Sequence, residues 1–468
     1  MPLEDTAAGG PKSRPLRILQ FGGGNFLRAF LGDLVQDLNE QTGFNGGIAL
    51  VKPTERGDYT ALRQQNGDYH LLVEGIVSGK PVRKLRRLTG IQSIVHPYRD
   101  WEGFLGTATL PEMQFIVSNT TEAGISFKAE TLPSNGPAQS FPGKLTQWLH
   151  HRFQYFEGAS GCGCICLPCE LIQSNGDALR GRVLDYAKHW GLGAQFEEWV
   201  ARHNVFCNTL VDRIVPGRPE GPEAVWEEIG MRDEQLVMAE PYLLWAIEAP
   251  EAVKSALPVS QTGRNVVFTD SLQRYRTLKV RILNGAHTAM VPVGLYQGAT
   301  TVREFVEHPH WGQWLRSLLT EEIAPTLPYP VEDIQAYTHT VLDRFSNPAI
   351  HHKLSDIALN SISKFRVRVL PSLLRYHQQS GMVPPRILTA FAALIWLYQG
   401  ACEGLPKDEP EITAWFRQLW DNTDDCSEII HKVLKNNRLW GELDLGFLSS
   451  GLTEQLELIS QGADIPQK

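Results

Sequence analysis

The sequence predicts an α/β first domain followed by a mostly α-helical second domain. Short apolar runs alternate with helical segments in the first half, a glycine-rich turn joins the first strand to the first helix, and helical periodicity dominates the second half. Strands that alternate with helices favour a parallel sheet, and ligands of such sheets collect at the carboxyl ends of the strands. With 468 residues and 42% hydrophobic content, the chain can bury more than one core.

The predicted elements of the first domain are strands at 16–21, 47–51, 113–117 and 163–167 and helices at 29–39 and 179–200. Segments 206–216 and 241–247 are further apolar pieces, and the pattern changes around 258–269. Helical segments follow at 271–296, 302–320, 353–376, 386–402, 411–420 and 426–435. We therefore expect a first domain over 1–255 and a mostly helical second domain over 256–468.

The charge balance favours a small-molecule partner. The 44 basic and 52 acidic residues give a net charge of −8, which offers no electrostatic footprint for nucleic acid or an anionic membrane. The apolar run at 390–398 is shorter than a membrane span and is typical of a buried helix. The first ten residues carry acid and glycine where a signal peptide has a basic end and an apolar block, so we expect a cytoplasmic protein.

Four of the seven cysteines lie together, at Cys162, Cys164, Cys166 and Cys169. Four thiolates can in principle hold zinc. The alternating cysteines fit a buried strand better, and the paired C-x-x-C knuckles of most zinc sites are missing. We expect no metal at this cluster.

A glycine turn at Gly22 and Gly24 follows the first strand and opens the first helix. Such a turn brings the backbone close to a pyrophosphate, whose charge is favoured at the amino terminus of the helix. The match to G-x-G-x-x-G is partial because Leu27 stands in the third position, so a turn without a ligand stays an alternative. Arg28 could contact phosphate directly or face water. The pattern favours a Rossmann-like, dinucleotide-binding domain.

The second strand ends in Lys52, where an NAD enzyme often has an acidic residue for the ribose hydroxyls. Lys52 or Arg56 could accept an additional phosphate, which leaves the choice between NAD and NADP open. Asn119, Thr120 and Glu122 follow the third strand, at the edge of the sheet where a cofactor is expected.

The segment from Lys279 to His287 holds the candidate catalytic groups. On a helix that turns about 100° per residue, Asn284 and His287 lie about 140° and 80° around the axis from Lys279. A buried lysine can act as a base near neutral pH while an amide and an imidazole hold the reacting oxygen. The alternative is an amphipathic helix with a solvated lysine.

Three motifs in order resemble those of the mannitol dehydrogenase family: Gly22-x-Gly24-x-Phe26-x-Arg28, Asn208-x-x-Val-Asp212-Arg-Ile-x-Pro216 and Lys279-x-x-x-x-Asn284-x-x-His287. The resemblance spans about residues 15 to 400 and implies metal-independent hydride transfer with NAD. It implies that Lys279 is the general acid or base, that Asn208 and Asn284 hold the reacting oxygen, and that His287 orients the substrate. Donors placed in this way stabilise the charge that builds on that oxygen.

Within the family, residues 51–54, 118–124 and 279–287 are most similar to members that reduce D-tagaturonate to D-altronate. Relatives that oxidise mannitol commonly have an acidic residue three positions before the lysine, whereas this chain has Arg276. A sugar-acid substrate needs a cation for its carboxylate, and we expect Lys364 or Arg366 to provide it. Their alternative is a solvated basic face.

Two other functions stay open. One is a mannonate (fructuronate) or mannitol dehydrogenase with the same catalytic core. The other is a catalytically silent protein that senses cofactor or sugar acid, against which the complete set of Lys279, Asn284, His287 and Asn208 argues, because binding alone requires no base.

Overall fold

The computed structural model of the protein describes residues 13–120, 124–400 and 402–464. The chain divides into two compact units, Met1–Glu74 with Val82–Leu272 and Gly75–Pro81 with Gln273–Lys468. The division falls later than the boundary expected at residue 255, because the last strand of the first unit, Val266–Thr269, still pairs with the strand Leu244–Glu248. The segment Gly75–Pro81 groups with the second unit, which no sequence pattern indicated.

The strands are β1 Leu16–Phe21, β2 Gly47–Val51, β3 Tyr69–Val77, β4 Lys80–Leu88, β5 Ile91–Val95, β6 Phe115–Ser118, β7 Ile165–Pro168, β8 Val205–Phe206, β9 Asn208–Asp212, β10 Val237–Ala239, β11 Leu244–Glu248 and β12 Val266–Thr269. The predicted strands at 16–21 and 47–51 are confirmed, and those at 113–117 and 163–167 are found one or two residues later. The region from β3 to β5 was not predicted as strands.

The main sheet has the strand order β5-β2-β1-β6-β7-β8, and its neighbouring strands are parallel. The chain leaves β1 in one direction for β2 and β5 and returns to its other side with β6. The order therefore reverses between β1 and β6, and the carboxyl ends of these two strands form the crevice where doubly wound sheets bind ligands. Two smaller sheets, β10-β3-β4 and β12-β11-β9, complete the strands of this unit.

The main sheet is covered by apolar side chains on both faces. Along β7 the side chains alternate, because successive residues of a strand point to opposite faces. Ile165 and Leu167 lie in one apolar cluster, while Cys164 and Cys166 lie in the other. The predicted burial is thus confirmed for Cys164 and Cys166, whereas Cys162 is half-buried in a 3-10 turn before the strand. Burial raises the pKa of the Cys164 thiol to about 11, so it packs as a small neutral side chain.

The helices of the first unit are α1 Asn25–Gln41, α2 Thr60–Gln64, α3 Trp101–Gly106, α4 Phe141–Tyr155, α5 Asn175–His189, α6 Ala194–His203, α7 Glu223–Ile229 and α8 Glu251–Ala256. The single helix predicted over 179–200 is two helices, α5 and α6, because the chain takes a left-handed conformation at Gly191 and Gly193.

The helices of the second unit are α9 Gln273–Leu278, α10 Asn284–Tyr296, α11 Val302–Glu307, α12 Pro309–Ser317, α13 Val331–Phe345, α14 Leu354–Ile357, α15 Ser361–Arg368, α16 Leu370–Ser380, α17 Pro385–Leu397, α18 Pro410–Asn422, α19 Cys426–Leu434, α20 Asn437–Trp440 and α21 Ser449–Ser460. The prediction of a mostly helical second domain is confirmed. Its central element is α17, which is apolar on most sides and packs against α10 and α21. Among the helices that the structure describes, none is long and apolar enough to cross a membrane.

Candidate active site

The glycine turn after β1 uses its three glycines for different reasons. Gly22 has a φ of 100°, a left-handed conformation that side chains rarely adopt. A Cβ atom at Gly23 would lie 2.8 Å from Cζ of Tyr59, whose hydroxyl accepts a hydrogen bond from the Gly23 N–H at 2.7 Å. Gly24 has an ordinary φ of −66°, and a Cβ atom there would meet nothing within 4 Å among the described residues.

Neither the backbone conformation nor the packing of the described residues therefore requires glycine at position 24. The space beside it is the space that a close backbone approach to a pyrophosphate requires. The following helix, α1, begins at Asn25, and within the described residues no side chain caps its amino terminus. Backbone N–H groups at such a terminus suit an anion. The turn therefore fits a dinucleotide.

Arg28, in the first turn of α1, is buried and its side chain is hydrogen-bonded to the glycine turn. Its guanidinium donates to the Gly23 carbonyl at 3.2 Å, to the Asn25 side chain at 2.7 Å and to the Gln235 carbonyl. These contacts are structural, and a direct phosphate contact stays a prediction. Phe26 stacks on Phe30, with 5.0 Å between the ring centroids, so its ring belongs to the packing of α1.

Lys52 extends from the end of β2 and donates to the Thr54 hydroxyl, and its ammonium lies 5.8 Å from the Tyr59 ring centroid. Partial burial lowers the pKa of the Lys52 ammonium, although the charge of Asp58 opposes the shift. A pocket of about 490 Å³ opens beside this strand end, and its walls include Pro53, Thr54, Asn119, Thr120, Lys128 and Ser140. Two predicted cofactor residues, Asn119 and Thr120, thus line a cavity between the ends of β2 and β6.

Glu170 is a functional candidate that the sequence analysis missed. It is almost fully buried, and its carboxylate accepts hydrogen bonds from the Ser118 hydroxyl at 3.1 Å and from the Thr120 N–H and hydroxyl at 2.9 Å. Asn119 donates to the Cys169 carbonyl at 2.7 Å. These bonds tie the carboxyl ends of β6 and β7 together. The predicted residue Glu122 lies outside the described residues.

Asn208 begins β9 and is bound to the first turn of α5. Its side chain donates to the Asp177 carboxylate at 2.9 Å and accepts from the Asp177 N–H at 3.1 Å. The buried Asn175 of the same turn donates to the carbonyls of Pro168, Glu170 and Thr209. The structure thus gives Asn208 a structural contact, and its role toward the reacting oxygen stays a prediction.

A π-helical turn over Lys279–Leu283 joins α9 to α10 in the second unit. The Asn284 N–H donates to the Lys279 carbonyl, which is the i→i+5 bond that defines this turn. In a regular α-helix these two residues would point about 140° apart. Because the π turn closes after five residues, Asn284 comes to lie over Lys279. We therefore expect the side chains of Lys279 and Asn284 to lie closer together than the 140° of a regular α-helix would allow.

His287 is buried one turn further along α10. Its ring centroid lies 4.3 Å from that of Phe345 and 5.1 Å from that of His352, and the two imidazoles are nearly perpendicular. Burial lowers the pKa of the His352 imidazole, while Asp356 opposes the shift. Asn284, His287 and Thr288 are spaced i, i+3 and i+4, so they share one face of the helix. Phe345, the last residue of α13, thus packs directly against the His287 ring.

The predicted substrate cations divide between two environments on α15. Lys364 is half-buried and donates to the Ile357 carbonyl at 2.9 Å, whereas Arg366 is exposed and donates to the Leu439 carbonyl at 3.3 Å. Arg368, two residues later, is half-buried and lies 3.4 Å from the Thr288 hydroxyl. Within the described part of the chain, no three His, Cys, Asp or Glu side chains are grouped so that they could hold a metal ion.

A doubly wound sheet with a glycine turn, and a Lys279, Asn284 and His287 motif around a π turn, are typical of a nucleotide-dependent dehydrogenase that acts on a CH–OH group. The family models agree with this class, because the mannitol dehydrogenase Rossmann domain matches residues 16–261 and the mannitol dehydrogenase C-terminal domain matches residues 271–459. The chain belongs to the mannitol dehydrogenase family. The Rossmann domain of this family supports NAD binding by the chain.

Several relatives are similar along most of their length. The altronate oxidoreductase of Bacillus subtilis (strain 168) is 42% identical over 429 residues, which are 91% of this chain and 88% of that protein. The altronate oxidoreductase of Phocaeicola vulgatus is 38% identical over 445 residues, which are 94% and 92% of the two chains. A D-sorbitol dehydrogenase structure matches with a TM-score of 0.79 at 22% identity and covers 97% of this chain and 96% of its own. This structural likeness supports the fold.

Replacement of Gly24 by alanine tests the glycine turn. Gly24→Ala should change the free energy of unfolding by about 1 kcal/mol or less, because the new methyl group has space. It should weaken NADH binding about tenfold or more, since the methyl group fills the space that the pyrophosphate needs. Calorimetric titration with NADH measures the affinity.

Gly22→Ala is the matched control. It should destabilise the fold by about 1–3 kcal/mol, because φ at this position is 100°. Unchanged NADH affinity in Gly24→Ala would show that the space beside this residue does not receive the cofactor.

Proposed function

We propose that the protein reduces the keto group of D-tagaturonate to give D-altronate, reversibly, with NADH. The observation that supports this proposal is the π turn over Lys279–Leu283, in which the Asn284 N–H donates to the Lys279 carbonyl, with His287 following on α10. Proton transfer to a hydroxyl oxygen needs a base and hydrogen-bond donors of the kind that these three residues offer. The choice of substrate is supported by relatives that are named altronate oxidoreductase and are 38–42% identical over most of both lengths.

In the direction of reduction, Lys279 gives its proton to the reacting oxygen as negative charge develops there. The side-chain amide of Asn284 donates a hydrogen bond to the same oxygen, and His287 orients the neighbouring hydroxyl of the substrate. Bound NADH supplies the hydride. In the direction of oxidation, Lys279 takes the proton back. We include Asn208 as a further donor to this oxygen, which requires its amide to exchange the Asp177 contact for the substrate.

The N–H groups at the amino terminus of α1, beside Gly24, would hold the pyrophosphate of the cofactor, and Asn119 and Thr120 line the pocket between the ends of β2 and β6. Lys52 stands where an NAD enzyme often places an acid, and it is held by Thr54. We propose NAD as the preferred cofactor. A comparison of NADH with NADPH tests whether Lys52 accepts the additional phosphate of NADP.

The proposed substrate is tested by NADH oxidation with tagaturonate, fructuronate and fructose at equal concentrations, repeated with NADPH. We expect the highest kcat/KM with tagaturonate and NADH, and D-altronate as the product. A higher kcat/KM with fructuronate or fructose would move the protein to another branch of the family. Turnover of none of these compounds, with NADH still bound, would favour a cofactor sensor.

The role of Lys279 is tested by Lys279→Ala. Turnover should fall by about 10²–10⁴-fold, the usual contribution of a positioned acid or base, while NADH affinity stays within about twofold. Lys432→Ala serves as the control, because Lys432 is an exposed lysine of α19 that pairs with Glu428 at 2.6 Å. An active Lys279→Ala variant would refute the proposed proton carrier.

A further inference from the structure

Two cations share one face of α15. Lys364 and Arg368 are four residues apart, so their side chains are neighbours on the helix, whereas Arg366 points to the other side. The exposure of the three side chains agrees with this geometry, since Lys364 and Arg368 are half-buried and Arg366 is exposed. The helix therefore separates a solvated arginine from a pair of partly desolvated cations.

Arg368 reaches the catalytic helix. One guanidinium nitrogen, Nη1, lies 3.4 Å from the hydroxyl of Thr288, which itself donates to the Asn284 carbonyl at 2.8 Å. Thr288 follows His287 and shares its helix face with Asn284. The guanidinium thus lies beside the face of α10 that carries the proposed catalytic groups. Lys364 and Arg366 have no such contact among the described residues.

Among the residues that the structure describes, the guanidinium of Arg368 has no carboxylate as a local counter-charge. Within the described residues, the ion pairs include no carboxylate bound to Arg368, and its hydrogen bond to Thr288 joins it to a neutral group. Burial lowers the pKa of the Arg368 guanidinium. Burial also lowers the pKa of Lys364, the charge of Arg368 adds to that shift, and Asp408 opposes it. Two desolvated like charges side by side cost free energy, which a bound anion offsets.

The absence of a nearby carboxylate does not by itself mark an arginine as a substrate-binding residue, as Arg281 shows. This arginine is also half-buried, and burial lowers its pKa to about 10, but its guanidinium donates to the hydroxyl of Ser372 on α16. It lies two residues after Lys279 and so points away from the catalytic face. What distinguishes Arg368 is its contact with Thr288, on the helix face that Asn284 and His287 share.

We propose that Arg368 binds the carboxylate of the sugar-acid substrate and so selects acids over neutral ketoses. The inference rests on the proposed function and names the residue that recognises its substrate class. The planar guanidinium presents two N–H groups to the two carboxylate oxygens, and Lys364 adds positive charge at its side. Arg366, one of the two cations that the sequence analysis expected to bind the carboxylate, is exposed and donates to the Leu439 carbonyl instead.

The test compares Arg368→Gln with Arg366→Gln, a matched substitution on the same helix. The kcat and KM for NADH-dependent reduction are measured with tagaturonate and with tagatose, the ketose that has a hydroxymethyl group in place of the carboxylate. Calorimetric titration with altronate gives the affinity for the acid directly, whether or not tagatose is turned over.

Arg368→Gln should raise KM for tagaturonate and Kd for altronate about 30- to 100-fold, since a hydrogen-bonded charge pair is lost. Its kcat should change less than about threefold, and its activity on tagatose should equal that of the wild type. Arg366→Gln should change each quantity less than about threefold. Arg368→Lys, which keeps the charge and loses the paired N–H groups, should give an intermediate Kd and also serves if Arg368→Gln does not fold.

Unchanged altronate affinity in the Arg368 variants would overturn the inference, as would an equal loss of activity on tagaturonate and tagatose. The wild type separates this failure from failure of the proposed function. A wild-type protein that reduces ketoses but no keto-uronate contradicts the function, whereas a tagaturonate reductase that is indifferent to Arg368 contradicts the carboxylate assignment.

Discussion

The hydrogen bond from the Asn284 N–H to the Lys279 carbonyl sets the geometry on which the proposed chemistry depends. The π turn holds one residue more than a regular helical turn, so it brings the backbone of Asn284 over that of Lys279, whereas a regular α-helix would turn the two residues about 140° apart. After this turn, α10 continues with ordinary spacing, so His287 and Thr288 follow on the same face as Asn284. This irregular turn thus precedes the helix face that carries the proposed oxygen ligand Asn284 and the Thr288 contact of Arg368, and it begins at the proposed proton carrier Lys279. A π turn leaves a helix less regular, and such turns are frequent at functional sites.

The glycine turn of the first unit depends on the ion pairs that hold the helix α1 in place. Asp33 lies in the middle of this helix, is fully buried, and pairs with Arg86, with Arg213 at 2.9 Å and with Arg264 at 2.9 Å. A buried carboxylate is costly unless it is paired and hydrogen-bonded, and removal of one partner leaves charge uncompensated. Arg213 also donates to the Ala29 carbonyl, so it holds α1 directly. This gives a structural reason for part of the motif that surrounds Asp212 and Arg213.

The sequence predicted what depends on local pattern. The strands β1 and β2 are short apolar runs next to turn residues, and the burial of α17 follows from an apolar stretch too short for a membrane. The strand β4 escaped prediction because it is rich in lysine and arginine and is exposed along much of its length. The helix α13 escaped because polar residues interrupt its apolar positions, although Val341 and Phe345 are buried in the assembled core.

The sequence named candidate residues for the site, but it did not indicate how the folded chain arranges them. Lys279, Asn284 and His287 stood out by spacing, but the π turn that aligns them depends on tertiary packing that no local pattern shows. Glu170 was missed because a single glutamate after a strand carries no signal until the end of β6 is seen beside it. Arg28 and Asn208 are turned toward protein partners, and this orientation also requires the folded chain.

The most direct test of this account is a crystal structure of the protein with NAD and altronate. We expect the hydroxyl oxygen that is oxidised to lie about 3 Å from both the Lys279 ammonium and the Asn284 side-chain amide, with the π turn intact. A complex in which this oxygen contacts neither group, or in which Lys279–Leu283 is a regular α-helix, would contradict the account.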